Sequence, residues 1–223
     1  MKREKGFILS RLNGAHSLFP SVESLISTLQ VTRKEGHLSF AKHVHTLLCI
    51  HGLECHEILG NYLVSMLVHC GCLLDAQQVF LKLGYRNEQS WASLMYKFIE
   101  IDDPENAFEL YKKMQEEKVM PNATTFLSLI SACSHAGLVE EGLFYFSSMR
   151  DEHGVEPTYE HYGSMVDLLG RSGQLDNGEA LLYSMSSCRP NAASWATLLA
   201  SCKAHSDVDR GIRIIRQVIR TDP

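Results

Sequence analysis

Apolar and polar positions in this chain recur as pairs of short amphipathic segments separated by a turn. The stretch from Ala123 to Thr158 is the clearest case: the doublet Leu129-Ile130 precedes Gly137, and Gly142, Phe146 and Met149 follow at helical spacing. The same plan recurs along the chain, where the small residue of the second segment is Ala41, Ala76, Ala107, Gly142, Gly178 or Gly211. Five residues before it stands a turn former or small polar residue: Gly36, Gly71, Asp102, Gly137, Gly173 or Ser206. Four after it comes His45, Phe80, Tyr111, Phe146, Leu182 or Ile215, and three further on Leu48, Leu83, Met114, Met149, Met185 or Val218. Side chains at i, i+4 and i+7 share one helix face.

A second helix per unit is marked upstream by Leu25-Ile26, Leu63-Val64, Leu94-Met95, Leu129-Ile130, Met165-Val166 and Leu198-Leu199. From Leu63 these doublets advance by 31, 35, 36 and 33 residues, and the small residues from Ala76 advance by the same four steps. The first unit is irregular, with three extra residues between its doublet and Gly36. Two independent series in one register predict helix hairpins, helix A then helix B. A lone hairpin cannot bury its apolar face, whereas stacked hairpins bury it against their neighbours. The expected fold is therefore all-α, an α-solenoid of about six helix-turn-helix repeats. Helix starts are signalled by Asp103-Pro104, an N-cap residue before proline at the first helical position, and by Pro121-Asn122, Pro157-Thr158 and Pro190-Asn191. Trp91 and Trp195 share one unit position, and hairpin packing accounts for both.

Composition narrows the function classes. The 223 residues are 45% hydrophobic, enough for a substantial core, and no apolar run reaches the roughly 20 residues of a membrane span. A net charge of −5 argues against a surface coated in phosphate-binding lysines. Seven cysteines, an odd number falling largely on core positions, read as reduced thiols. Cys70 and Cys72 beside His69 lack a second pair at zinc spacing, so no metal or other cofactor is expected. His45 occupies an aromatic core slot and reads as a packed histidine. Lys2, Arg3, Lys5 and Arg11 against Glu4 give the 1–18 extension a basic tilt resembling a weak organellar presequence; the start of a fragment fits as well.

The wording of the units resembles the pentatricopeptide repeats of plant PLS-class proteins. Unit lengths of 31, 35 and 36 are similar to the short, standard and long motifs of that class. GNYLVSMLVHCGCLLDAQQVF (60–80) looks like a short motif, SWASLMYKFIEIDDPENAFELYKKMQEEKVMPN (90–122) like a standard one, and TTFLSLISACSHAGLVEEGLFYFSSMRDEHGVEPT (124–158) like a long one. YEHYGSMVDLLGRSGQL (159–175) and SWATLLASCKAHSDVDRG (194–211) resemble the last repeat and the opening of the E motif. The resemblance implies repeats at 19–56, 57–87, 88–122, 123–158 and 159–191 and a partial E motif at 192–223, wound into a right-handed superhelix. No His-x-Glu with a following Pro-Cys-x-x-Cys is present, so the chain departs from relatives carrying a cytidine-deaminase-like DYW domain, and it is not expected to be an enzyme.

The resemblance further implies single-stranded RNA as partner, about one base per repeat along the A helices. The fifth and last residues of a repeat would discriminate the base, and the second would pack on its plane. Carried over, these are Ile58, Asn61 and Asn87 for 57–87, then Gln89, Ala92 and Asn122, then Thr124, Leu127 and Thr158, then Glu160, Gly163 and Asn191. The irregular first unit offers Glu23 and His56. Asn61 with Asn87 is the pair expected to read a pyrimidine, because an amide can donate to or accept from a base edge. Ala92, Leu127 and Gly163 have no side-chain hydrogen-bonding group. N-capping alone accounts for Asn122, Thr158 and Asn191, and the two roles can coexist. Arg210, Arg213, Arg216 and Arg220 follow helical spacing, as a phosphate or acidic-partner contact or as a solvated face. The implied process is organellar RNA metabolism, C-to-U editing-site recognition with the deaminase supplied by another chain or with other such repeat proteins. The alternative is a protein–protein scaffold.

Overall fold

The computed structural model describes residues 21–185 and 190–221; the 1–18 extension, Cys188 and the Arg220 side chain lie outside the described set. The described residues form twelve helices and no strand: α1 (Val22–Glu35), α2 (Leu38–Ile50), α3 (Glu57–His69), α4 (Leu73–Lys82), α5 (Glu88–Glu100), α6 (Pro104–Glu116), α7 (Ala123–Ala136), α8 (Val139–Asp151), α9 (Tyr159–Arg171), α10 (Leu175–Tyr183), α11 (Ala192–Ala204) and α12 (Val208–Thr221). Odd-numbered helices are the A members of the six hairpins and even-numbered ones the B members. The fold is an all-helical solenoid, as the periodicity requires. No helix among the described residues is long and apolar enough to cross a membrane.

The chain divides into two compact units, one up to Lys97 and one from Phe98 on. In the first, α1 packs on α2 and α3, and α3 packs on α2 and α4. In the second, α7, α9 and α11 lie side by side, each B helix from α8 to α12 packs on its own A helix, and α8 and α10 also pack on the next one. A chain that buries one stripe of each helix against two neighbours needs no other core.

The turns between A and B helices explain the six residues five positions before the small one. Gly36, Gly71, Gly137 and Gly173 take φ of 67°, 82°, 70° and 74°, and the non-glycine Asp102 and Ser206 take 60° and 59°. All six are left-handed, a conformation that favours glycine. At the far end of three units a second left-handed residue stands, Gly52, Lys118 or Gly154.

Most aligned core positions are buried as expected, while Ile26, His45, Phe146, Met185, Leu199 and Val218 are half-buried. Ala41, Ala76 and Ala107 are fully enclosed, and so are Leu63, Val64, Met95, Leu129, Ile130, Met165, Val166 and Leu198. Burying a side chain of that size contributes roughly 1.5–3 kcal/mol. The residue four into helix A meets an aromatic side chain of the preceding B helix edge-on. Trp91 meets Phe80 with centroids 4.7 Å apart, Tyr162 meets Phe146 at 5.1 Å, and Trp195 meets Tyr183 at 5.3 Å. Ile215 departs from its expected core slot and is 45% exposed. With Ala196, Leu199, Val208 and Ile212 it lines an open apolar groove of about 630 Å³ over the α11–α12 hairpin.

Candidate nucleic-acid interface

Each candidate reader sits at the start of an A helix, where the first backbone N–H groups have no partner within the helix. The residue closing each repeat meets that need. His56 accepts through Nδ1 from the N–H groups of Ile58 (3.3 Å) and Leu59 (3.4 Å). Asn87 Oδ1 accepts from the Ser90 N–H at 3.0 Å. Asn122 forms a capping box with Thr125: Oδ1 accepts from the Thr125 N–H at 3.0 Å, while the Thr125 hydroxyl accepts from the Asn122 N–H at 3.3 Å. Asn191 Oδ1 accepts from the Ser194 N–H at 2.8 Å. Thr158 pairs with His161, whose Nδ1 accepts the Thr158 N–H at 3.2 Å. Capping thus uses the carbonyl oxygen of each asparagine. Among the described residues the Nδ2 groups of Asn87, Asn122 and Asn191 have no partner.

The fifth positions divide sharply. Asn61 is 3% exposed. Its Nδ2 donates to the Glu57 carbonyl at 2.7 Å and the Tyr85 carbonyl at 3.0 Å, and its Oδ1 accepts from the Asn87 N–H at 2.9 Å. Both donors are consumed, and the amide is enclosed. Asn61, expected with Asn87 to be the pair that reads a pyrimidine, here ties α3 to the segment before α5, and its link to Asn87 is a bond within the protein. Ala92 is also fully buried. Leu127 and Gly163 are half-buried, and a Cβ added at Gly163 would meet nothing within 4 Å. At the second positions Ile58 (51% exposed), Thr124 and Glu160 face solvent and Gln89 is half-buried, its Nε2 3.4 Å from the Ser93 hydroxyl. Glu23 is exposed as well.

In the second unit these positions border a polar groove of about 290 Å³ lined by Ser131, Ser134, His135, Glu160, Gly163, Ser164, Asp167 and Thr197. Of its two carboxylates Asp167 is engaged on both sides: the Ser134 hydroxyl donates to it at 2.6 Å and Arg171 pairs with it at 2.9 Å. The Ser131 and Ser164 hydroxyls join at 3.2 Å across α7 and α9. Sequence reasoning passed over this set, although Ser128, Ser131 and Ser134 recur every three residues on one face of α7.

His161 also lay outside the candidates. It is 1% exposed, and its Nε2 donates to the Ala123 carbonyl at 2.8 Å while Nδ1 accepts. Burial holds the imidazole below its ordinary pKa, so it is kept neutral. Two of the arginines, Arg210 and Arg213, pair with carboxylates of the second unit. Arg210 is buried and pairs with Asp176 at 2.5 Å and Asp207 at 2.9 Å, while Arg213 meets Glu179 at 3.4 Å. Arg210 thus belongs to the α10–α12 packing.

Comparison with known sequences agrees with this architecture. Residues 86–135 match the PPR repeat family, and residues 124–153 and 160–189 match the PPR repeat. A pentatricopeptide repeat-containing protein of Arabidopsis thaliana is 35% identical over 204 residues, covering 92% of this chain and 28% of its own length. A second, whose name carries the word mitochondrial, is 34% identical over 219 residues, covering 98% of this chain and 39% of its own. The chain therefore spans well under half of these relatives. Among solved structures, the pentatricopeptide repeat protein PPR10 in complex with an 18-nt psaJ RNA element matches 99% of this chain and 38% of its own, with a TM-score of 0.69 at 13% identity. The PPR domain of Arabidopsis thaliana protein-only RNase P 1 in complex with tRNA matches 70% of this chain and 84% of its own, with a TM-score of 0.56 at 17% identity.

Proposed function

This chain is a pentatricopeptide repeat protein, and from that premise we propose that it binds single-stranded RNA through the starts of its A helices. The observation that carries the reading is the division of labour in the closing asparagines. Oδ1 caps the helix and Nδ2 stays uncommitted at Asn87, Asn122 and Asn191, so each keeps a donor for a base carbonyl. In the second unit Thr124 and Glu160 supply exposed second positions, and Leu127 and Gly163 supply fifth positions without a polar group. Specificity there rests on the closing residue and on shape.

The finer reading is C-to-U editing-site recognition in an organelle, as a PLS-class protein with a partial E motif. The chain recognises RNA, and a deaminase comes from another chain. Unit lengths of 31, 35 and 36 and a similar protein named as mitochondrial support it. The test is binding of the purified chain to a single-stranded RNA pool. The expected result is a complex that weakens at least tenfold between about 50 and 200 mM salt. Gly163→Asn, which places an amide in open space, is expected to sharpen base preference at one position. Absence of salt-sensitive binding to every pool member refutes the reading. The scaffold alternative is favoured by one observation, the apolar groove over α11–α12. Partner capture that survives nuclease, with no RNA crosslink, would establish it instead.

A further inference from the structure

We propose that His45, Cys49 and Glu54 form a binding site for a zinc-type divalent cation in the second hairpin helix and the loop that follows it. His45 and Cys49 lie four residues apart on α2 and so share a face. The chain then turns back through Gly52, left-handed at φ 65°, and the Leu53 N–H bonds the Leu48 carbonyl at 2.8 Å. That turn brings Glu54 over the pair. One ligand atom from each residue lies within 4.8 Å of the others. The Cys49 Sγ is 2.9 Å from Glu54 Oε2, and His45 Nε2 is 4.0 Å from the same oxygen.

Two features go beyond mere proximity. Among the described residues His45 Nε2 is buried without a hydrogen-bond partner, a costly arrangement that an ion facing it would relieve. Glu54 divides its oxygens: Oε1 holds Lys82 at 3.1 Å, and Oε2 faces the thiol and the imidazole. A ligating carboxylate oriented by an outer cation is a usual form of metal-site support. Imidazole, thiolate and carboxylate together suit zinc, with the fourth position left to water. Lys82 is also the site's natural competitor, since its charge repels the ion; being 55% exposed, it can withdraw.

The Cys49 thiol donates to Glu54 Oε2, so the sulfur carries a proton that an ion must displace. Binding then reads Cys–SH plus M²⁺ giving Cys–S–M⁺ plus H⁺, the proton leaving to solvent and the sulfur pair forming the new bond. The imidazole binds neutral, so one proton is released per ion.

The experiment is titration of the full chain with Zn²⁺ against a chromophoric chelator, and with Co²⁺ for its thiolate charge-transfer band. The expected result is one ion per chain, about one proton released, and a sulfur-to-cobalt band that Cys49→Ser abolishes. His45→Ala and Glu54→Gln should each weaken Zn²⁺ at least tenfold, and Lys82→Ala should tighten it, with the helical circular dichroism unchanged in all four. Failure to bind Zn²⁺ at micromolar concentration overturns the proposal. So does affinity that survives Cys49→Ser and His45→Ala unchanged.

Discussion

Asn61 in the first unit and His161 in the second are both buried polar side chains near the start of an A helix. Asn61 reaches the segment that closes its own repeat, and His161 reaches the start of the preceding A helix. Asn61 takes the Asn87 N–H and gives to the Tyr85 carbonyl; His161 gives to the Ala123 carbonyl and takes the Thr158 N–H. Each thereby satisfies backbone groups that stacking would otherwise bury unpaired. They differ in the slot they occupy. Asn61 is fifth in its repeat, so the tie fills the position through which a base would be read. His161 is third, and its repeat keeps Gly163 open at the fifth. Repeat position fixes where a side chain sits, but an amide whose two donors already hold the stack has neither to offer a base without giving up a bond.

Replacing Asn61 tests this most severely. Asn61→Ala removes three hydrogen bonds and leaves the Asn87 N–H and the Tyr85 carbonyl without their partner, at about 1–3 kcal/mol for each stranded group. The expected loss is about 3 kcal/mol, read as a lower denaturant midpoint at unchanged slope. Should stability stay within about 0.5 kcal/mol while pyrimidine preference vanishes, Asn61 is a reader after all and the comparison collapses.

The contrast also shows where the sequence was legible. Spacing located all twelve helices, and the turn residues, including Asp102 and Ser206, fell on left-handed positions because a hairpin imposes the same backbone reversal on every unit. N-caps were readable for the same local reason. Asn61 was not, since its partners lie 24 and 26 residues away and periodicity carries no record of which side chain crosses a stack. His161 was missed likewise, its Ala123 partner lying 38 residues upstream. The His45 cluster escaped because its third member is in a loop, outside the helical register.

A smaller effect comes from the twelfth repeat position, which holds Val68 in the first unit and Gly170 in the second. A Cβ on Gly170 would overlap the Ser201 hydroxyl and lie 2.7 Å from the Ser201 Cβ. Alanine gains about 1 kcal/mol in helix propensity over glycine. Forcing apart α9 and α11 costs about 1–3 kcal/mol. Because the obstacle includes a Cβ that cannot rotate away, the clash is expected to win, and Gly170→Ala should destabilise by about 1–2 kcal/mol in chemical denaturation. A neutral result would mean that the A helices of the second unit are not held at that spacing.

The two ties should also separate with pH. The unfolded chain protonates His161 near pH 6.5, whereas burial in the folded state depresses its pKa. The unfolded state then binds more protons, so this histidine's contribution is intact above about pH 6.5 and is lost as pH falls below it. The slope it adds is at most about 1.4 kcal/mol per pH unit. His161→Gln should flatten the stability profile below about pH 6.5, while Asn61→Ala should lower the profile without changing its slope. Equal slopes in wild type and His161→Gln would mean the imidazole is not buried neutral.

The smallest expected change concerns the A–B turns, where the first unit uses Gly36 and Gly71 and the last hairpin uses Ser206 at φ 59°. A non-glycine residue in the left-handed region costs about 1–2 kcal/mol. Glycine removes that strain but adds about 0.5–1 kcal/mol of freedom to the unfolded chain. Ser206 is exposed, and among the described residues its bonds at the turn are backbone ones, the Ser206 N–H to the Lys203 carbonyl at 3.3 Å and the Val208 N–H to the Ser206 carbonyl at 3.1 Å. Nothing in the side chain offsets the strain. Ser206→Gly should therefore stabilise by about 0.5 kcal/mol, and Gly71→Ala in the first unit should destabilise by about 1 kcal/mol, both read from denaturant midpoints. If Ser206→Gly proves destabilising, the serine makes a contribution that its backbone geometry does not reveal, and the equivalence of the turns in the two units fails.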